Sequence, residues 1–203
     1  MKVIFGFFLI LMVNFIFAQN SKSIMTDSRD GQEYEIVKIG NQVWMAENLN
    51  YRTSNGSYCY DNKLFNCDKY GRLYKWEVAL KACPRGWQLP SKNDWEELID
   101  YVWGSRGDGF ALKSEEGWKN NGDGADQYGF SALPAGRYAR FFLGEKSPLS
   151  FDFVGEYTDW WTGSEYNSGN SWVYSMTYDL DDVFNYFLNK DHAYSVRCVK
   201  DKE

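Results

Sequence analysis

The sequence predicts an α+β fold of two short helices, small antiparallel sheets and long loops. Two four-point apolar repeats at helical spacing flank one tight turn, several short segments alternate with period two, and stretches rich in Gly, Asp and Asn separate them. Aromatic residues make up 19% of the chain, with nine Trp and fifteen Tyr, so the core is expected to be built from rings packed against loops.

The first element is a leader. Lys2 precedes an apolar run from Val3 to Ala18 broken only by Gly6 and Asn14. That run is shorter than the roughly 20 residues a membrane helix needs and ends in a small residue, so residues 1–18 read as a signal peptide cut before Gln19. An uncleaved anchor is the competing reading. No cysteine follows the cut, which speaks against a lipoprotein, and no integral span is expected after cleavage. Residues 19–29 read as a flexible polar leader and residues 30–203 as one domain, large enough to bury a core without depending on cross-links.

Asp30-Gly31 and Gly40-Asn41 are turn dipeptides around residues 34–39, and residues 42–45 follow, which makes a β-hairpin. Residues 50–69 look like loop. Trp76, Ala79, Leu80 and Cys83 then share one helix face, and Pro84 and Gly86 force a turn that sends Trp87 and Leu89 inward. Ser91 is a helix N-cap, Asp94 adds negative charge in the first turn, and Trp95, Leu98, Ile99 and Val102 repeat the apolar spacing. Residues 104–129 are a Gly-rich excursion with little regular structure. Residues 129–136 suit a short strand, 137–157 look irregular, and 159–164, 172–178, 183–187 and 194–199 are strand candidates. Trp172, Tyr174, Met176 and Tyr178 alternate strictly along one face.

Removing Lys2 with the leader takes the net charge from −6 to −7, and no basic stripe is visible, so nucleic acid is not an expected partner. Cys59, Cys67, Cys83 and Cys198 form an even set in an exported chain and read as two disulfides. Three pairings are possible. Cys59 and Cys67 share one loop and can close a short ring, which leaves Cys83 for Cys198. Zinc binding by these cysteines is disfavoured, because their spacings are not C-x-x-C and the sole histidine, His192, is remote.

The order of Asp30-Gly31-Gln32-Glu33-Tyr34, residues 39–51 (Ile-Gly-Asn-Gln-Val-Trp-Met-Ala-Glu-Asn-Leu-Asn-Tyr), Tyr70-Gly71-Arg72-Leu73-Tyr74-Lys75-Trp76, residues 82–91 (Ala-Cys-Pro-Arg-Gly-Trp-Gln-Leu-Pro-Ser), Leu133-Pro134-Ala135-Gly136 and Ser195-Val196-Arg197-Cys198-Val199 resembles the Fibrobacter succinogenes major paralogous domain. The resemblance spans nearly the whole mature chain and implies a secreted or surface domain of bacteria with no established activity. More loosely, residues 87–95, 160–164 and 196–198 look like the formylglycine-generating enzyme and C-type lectin-like group. That likeness implies an irregular C-type lectin-like fold whose first and last elements meet, and it favours the Cys83–Cys198 pairing. The calcium-dependent sugar motifs of the lectins and the paired active-site cysteines of the formylglycine-generating enzymes are absent.

The chemistry-bearing residues are few. Glu47, at a strand end with Asn48, would be an acid or base if it faced a pocket, but with no second group at a defined spacing it reads as a half-buried carboxylate bonding to loop amides. Asp123 and Asp126, with Glu115 and Glu116, are oxygen ligands on a loop, so calcium is the one cofactor left open, although Asp123-Gly124-Ala125-Asp126 lacks an EF-hand spacing. Trp160 and Trp161 are adjacent in an extended segment, which would turn one of them outward as a sugar platform; core packing of both against the long loops is the favoured reading, and both stay in the candidate surface. His192 reads as an ordinary surface residue. Together Trp118, Asp123, Asp126, Trp160, Trp161, Glu165 and Tyr166 define an expected ligand surface on residues 104–171, for an extracellular glycan or protein. The expected function is therefore non-catalytic recognition or adhesion outside the cell or on its surface. An enzyme of the formylglycine-generating type is the alternative, and a structural envelope component the third.

Overall fold

A computed structural model describes residues 23–102, 107–140 and 147–202. The expected signal peptide lies outside the described residues. In chain order the strands are β1 (Ser23–Thr26), β2 (Glu33–Ile39), β3 (Gln42–Met45), β4 (Ser57–Tyr58), β5 (Leu73–Lys75), β6 (Trp87–Gln88), β7 (Arg137–Arg140), β8 (Leu149–Asp152), β9 (Tyr157–Asn167), β10 (Asn170–Thr177), β11 (Phe184–Asn189), β12 (Ala193–Ser195) and β13 (Val199–Lys200). The helices are α1 (Leu64–Tyr70), α2 (Trp76–Ala79), α3 (Lys92–Val102) and α4 (Asp108–Leu112). The result is α+β with short helices and open, mostly antiparallel sheets, and no described helix is long and apolar enough to cross a membrane.

Sheet one runs β1-β2-β3-β13-β6, and sheet two runs β11-β10-β9-β12-β5-β4, with β7 and β8 attached beside β12. The expected hairpin is β2–β3, paired from Ile36 with Met45 to Ile39 with Gln42 and turned at Gly40, whose φ of 59° suits glycine. Between Ser195 and Val199 the chain leaves sheet two and enters sheet one, so the single strand expected over 194–199 is divided. The crossing is bound to β3 and its extension, since Met45 N donates to Cys198 O and Leu49 N to Val196 O.

Strands β9 and β10 separate two apolar cores. On one side Trp160, Tyr174 and Met176 pack with Trp95, Leu98 and Val102 of α3, with Val37, Ile39 and Trp44 of the hairpin, and with Phe130. On the other side Trp161 and Val173 pack with Tyr74, Trp76, Ala79, Tyr194, Val196 and Cys198. The start of α3 forms as the sequence requires: Ser91 N and Oγ donate to Asp94 Oδ2 at 2.9 and 2.7 Å, and Asp94 N donates back to Ser91 Oγ at 3.2 Å. Both disulfides, Cys59–Cys67 and Cys83–Cys198, are present, the second joining the turn after α2 to the crossing segment.

Several expectations change. Part of the flexible leader is ordered, because β1 pairs with β2 and the buried Asp27 holds Arg29, which donates to Ala82 O at 2.8 Å and lies over the Tyr51 ring at 3.7 Å. The expected loop over 50–69 contains β4 and α1, a helix cross-linked through Cys67 rather than announced by a side-chain cap. Within the Gly-rich excursion α4 forms, while residues 129–136 make isolated bridges at Ala132 and Gly136 in place of a strand. The segment read as irregular from 137 onward carries the β7–β8 hairpin.

His192 is half-buried rather than a free surface group. Its Nδ1 lies 3.0 Å from Tyr194 Oη, and burial, reinforced by Arg140 and Arg137, pushes its pKa down to about 4. The unfolded form titrates near 6.5, so as pH falls from 6.5 toward 4 the unfolded chain takes up a proton that the fold refuses, and stability is lost across that window. Thermal melts over that range should show the native protein losing more stability than His192→Gln. Parallel curves would mean that His192 does not contribute to acid sensitivity.

Candidate functional site

The structure disperses the expected ligand surface. Trp160 and Trp161 are both fully buried and Trp118 is 5% exposed. A strand normally turns successive side chains to opposite faces, one dry and one wet, but β9 has a core on each side, so both tryptophans are interior. Their indole N–H groups are committed as well, Trp160 to Asn48 Oδ1 at 2.8 Å and Trp161 to Tyr74 O at 2.6 Å. Neither can serve as a sugar platform. Asp123 accepts from Trp118 N at 2.8 Å, and Asp126 accepts from Ser131 N and Oγ at 2.6 and 2.7 Å, so both carboxylates hold loop turns. Among the described residues, no group of three or more His, Cys, Asp or Glu side chains is gathered to hold a metal ion.

Of the expected set, Glu165 and Tyr166 remain at the surface. Glu165 pairs with Lys190, whose ammonium lies 4.1 Å from the centre of the Trp76 ring. Tyr166, on the opposite face of β9, stacks on Phe187 with ring centres 3.9 Å apart and planes 3° from parallel. Trp172, paired across the ladder with Phe187, stands edge-on to Tyr166 at 5.3 Å and to Phe187 at 6.2 Å. Tyr166 and Phe187 are 47% and 44% exposed. This cluster exists because the aromatic stripe of β10 is longer than its cover: Tyr174 and Met176 lie beneath α3, while Trp172 lies beyond it, with Lys92 of the first helical turn 5.3 Å from its ring centre. Asn185 and Asn189 flank Phe187 on the same exposed face of β11. Trp172 was legible as part of an alternating stripe, but the place where the cover stops was not.

A second feature is a polar cleft of about 230 Å³ between β2, the segment after β3, the end of α1 and the loop at Ser131. Its floor includes Tyr34, Asn48 and Arg197, and its mouth is edged by the exposed Glu47, Asp68 and Lys69. Arg197 sits on the crossing between the sheets and is 1% exposed. Asn48 Oδ1 accepts from its Nε at 3.0 Å and its Nη2 at 2.8 Å, Phe130 O accepts from Nη1, and the Phe130 ring lies 4.5 Å from the guanidinium carbon. Among the described residues no carboxylate pairs with it. Burial pushes its pKa down to about 9, against the pull of Glu47 and Asp126. Glu47 lines this pocket, but it is exposed rather than half-buried, and its Oε1 accepts at 2.8 Å from Glu35 N, an amide of strand β2 rather than of a loop.

The family model described as the Fibrobacter succinogenes major domain matches residues 37–200. The chain belongs to this family. The match covers both sheets' central strands, both disulfides, the aromatic cluster and the Asn48–Arg197 contact, so these are features of how this Fibrobacter succinogenes major domain is built. No curated protein and no solved structure matches the chain.

Proposed function

We propose that this Fibrobacter succinogenes major domain is an exported, non-catalytic recognition module of C-type lectin-like architecture that binds extracellular glycan through the sheet face of β9–β11. One observation carries the reading: Tyr166, Trp172 and Phe187 form an aromatic cluster left uncovered by α3 and bordered by amide side chains. The C–H face of a sugar ring is apolar and stacks on electron-rich rings, while its hydroxyls need paired donors and acceptors such as Asn185 and Asn189 offer. The two disulfides support an oxidising destination, and they engage all four cysteines, which leaves no free thiol for oxidase chemistry of the formylglycine-generating type. The link from the turn after α2 to the segment between β12 and β13 through Cys83–Cys198 supports the lectin-like architecture.

The test is a glycan array with the mature chain, followed by titration of any hit against Tyr166→Ala and Phe187→Ala. Each variant is expected to weaken binding about tenfold or more, while unfolding stability stays within about 1 kcal/mol because both side chains are already half in water. Unchanged affinity in both variants would remove this face from the reading.

A further inference from the structure

We propose that the cleft floored by Arg197 binds a small zwitterion of the free α-amino acid kind, with its carboxylate inward on Arg197 and its ammonium outward between Glu47 and Asp68. This site shares no lining residue with the aromatic face and does not depend on the glycan reading.

The argument begins with the guanidinium. Arginine carries five N–H donors, and Arg197 uses three, two on Asn48 Oδ1 and one on Phe130 O. One proton on Nη1 and one on Nη2 are left without an acceptor among the described residues. A buried cation normally has a directly paired counter-charge; here Glu47 and Asp126 act on Arg197 without pairing with it, and the group in contact is the neutral amide oxygen of Asn48. Each terminal nitrogen thus keeps one N–H beyond the bonds it already makes, and a carboxylate is the acceptor that suits a guanidinium. The side chain is almost closed off from solvent, yet it lines the cleft, so an anion would reach it by that route.

The mouth has the opposite character. Glu47 is exposed and engages Glu35 N through Oε1 alone, and Asp68 is exposed with neither hydrogen bond nor ion pair among the described residues. Lys69, whose nitrogen lies 5.1 Å from the Tyr70 ring centre, offsets one of these charges. A simple anion would pass a net acidic rim to reach the cationic floor, and a simple cation would be repelled at the floor. A molecule that is negative at one end and positive a few ångströms away satisfies both. The cleft volume of about 230 Å³ admits a ligand of amino-acid size and excludes a folded partner.

The test is calorimetric titration of the mature chain with a panel of free amino acids, their N-acetyl derivatives and their amides. At least one free amino acid is expected to bind, with its N-acetyl and amide forms weaker by about tenfold or more. Glu47→Gln, which keeps the acceptor for Glu35 N, and Asp68→Asn are each expected to weaken that binding about fivefold without moving the melting temperature. Tyr166→Ala should leave it unchanged. No binding by any free amino acid at millimolar concentration, equal binding of N-acetyl forms, or indifference to both acidic substitutions would overturn the proposal. Glycan binding that survives alongside any of these results would leave the aromatic face standing by itself.

Discussion

Asn48→Ala is expected to destabilise the domain by about 3–5 kcal/mol, the cost of leaving a buried charge without its compensating partner. Asn48 Oδ1 accepts three bonds, from Arg197 Nε and Nη2 and from Trp160 Nε1, and its Nδ2 donates to Tyr70 O at 3.0 Å. One truncation therefore leaves the guanidinium with Phe130 O as its sole acceptor among the described residues, strands an indole N–H and releases the chain at the end of α1. Urea unfolding should show a lower midpoint with an unchanged slope, since the surface exposed on unfolding is the same. Asn48→Asp provides the control. It keeps the oxygen and adds a counter-charge to Arg197, so it should retain most of the stability although it loses the bond to Tyr70 O. If the alanine variant lost less than about 1 kcal/mol, Arg197 would be held by its ring contacts and this account of the crossing would fail.

Removing the Cys83–Cys198 disulfide by double alanine substitution is expected to cost about 5 kcal/mol in the chain-entropy view, against about 2.5 kcal/mol for Cys59–Cys67. The difference follows from loops of 115 and 8 residues. The longer bridge also ties the α2 turn to the segment that joins the sheets, so native contacts and unfolded-state entropy act in the same direction. Denaturant melts of the two double variants give the ranking directly. A smaller loss from the long bridge than from the short one would mean that the reduced, unfolded chain keeps these regions together.

What could be read from the sequence was local. The cap at Ser91 and Asp94, the β2–β3 hairpin and the short Cys59–Cys67 ring all depend on residues within a few positions of one another, and each is present. The family resemblance, carried by ordered motifs, also held over residues 37–200. The errors lie where burial is decided by distant parts of the chain. Whether Trp160 or Trp161 faces water depends on whether a second core forms behind β9, and the residues that build it, Tyr74, Trp76 and Tyr194, come from far along the sequence. Arg137–Arg140 has no apolar alternation because β7 is only half covered, so its hairpin with β8 left no periodic signal. The cleft was invisible for a related reason. Glu47 can be singled out at a strand end, but that it shares a cleft with Asp68 and Arg197 depends on a contact between segments about 150 residues apart.

The position of β13 has a consequence for the order of folding. This strand, Val199–Lys200, lies between β3 and β6 and is the last of the described strands to be synthesised. A chain made or threaded from its N-terminus can close the β2–β3 hairpin and α3 early, but β6 and β3 have no common neighbour until residues near 200 arrive. The contacts that complete the domain are therefore those of longest sequence separation, which places it among slowly closing topologies and keeps the nascent chain open until synthesis of this segment is finished.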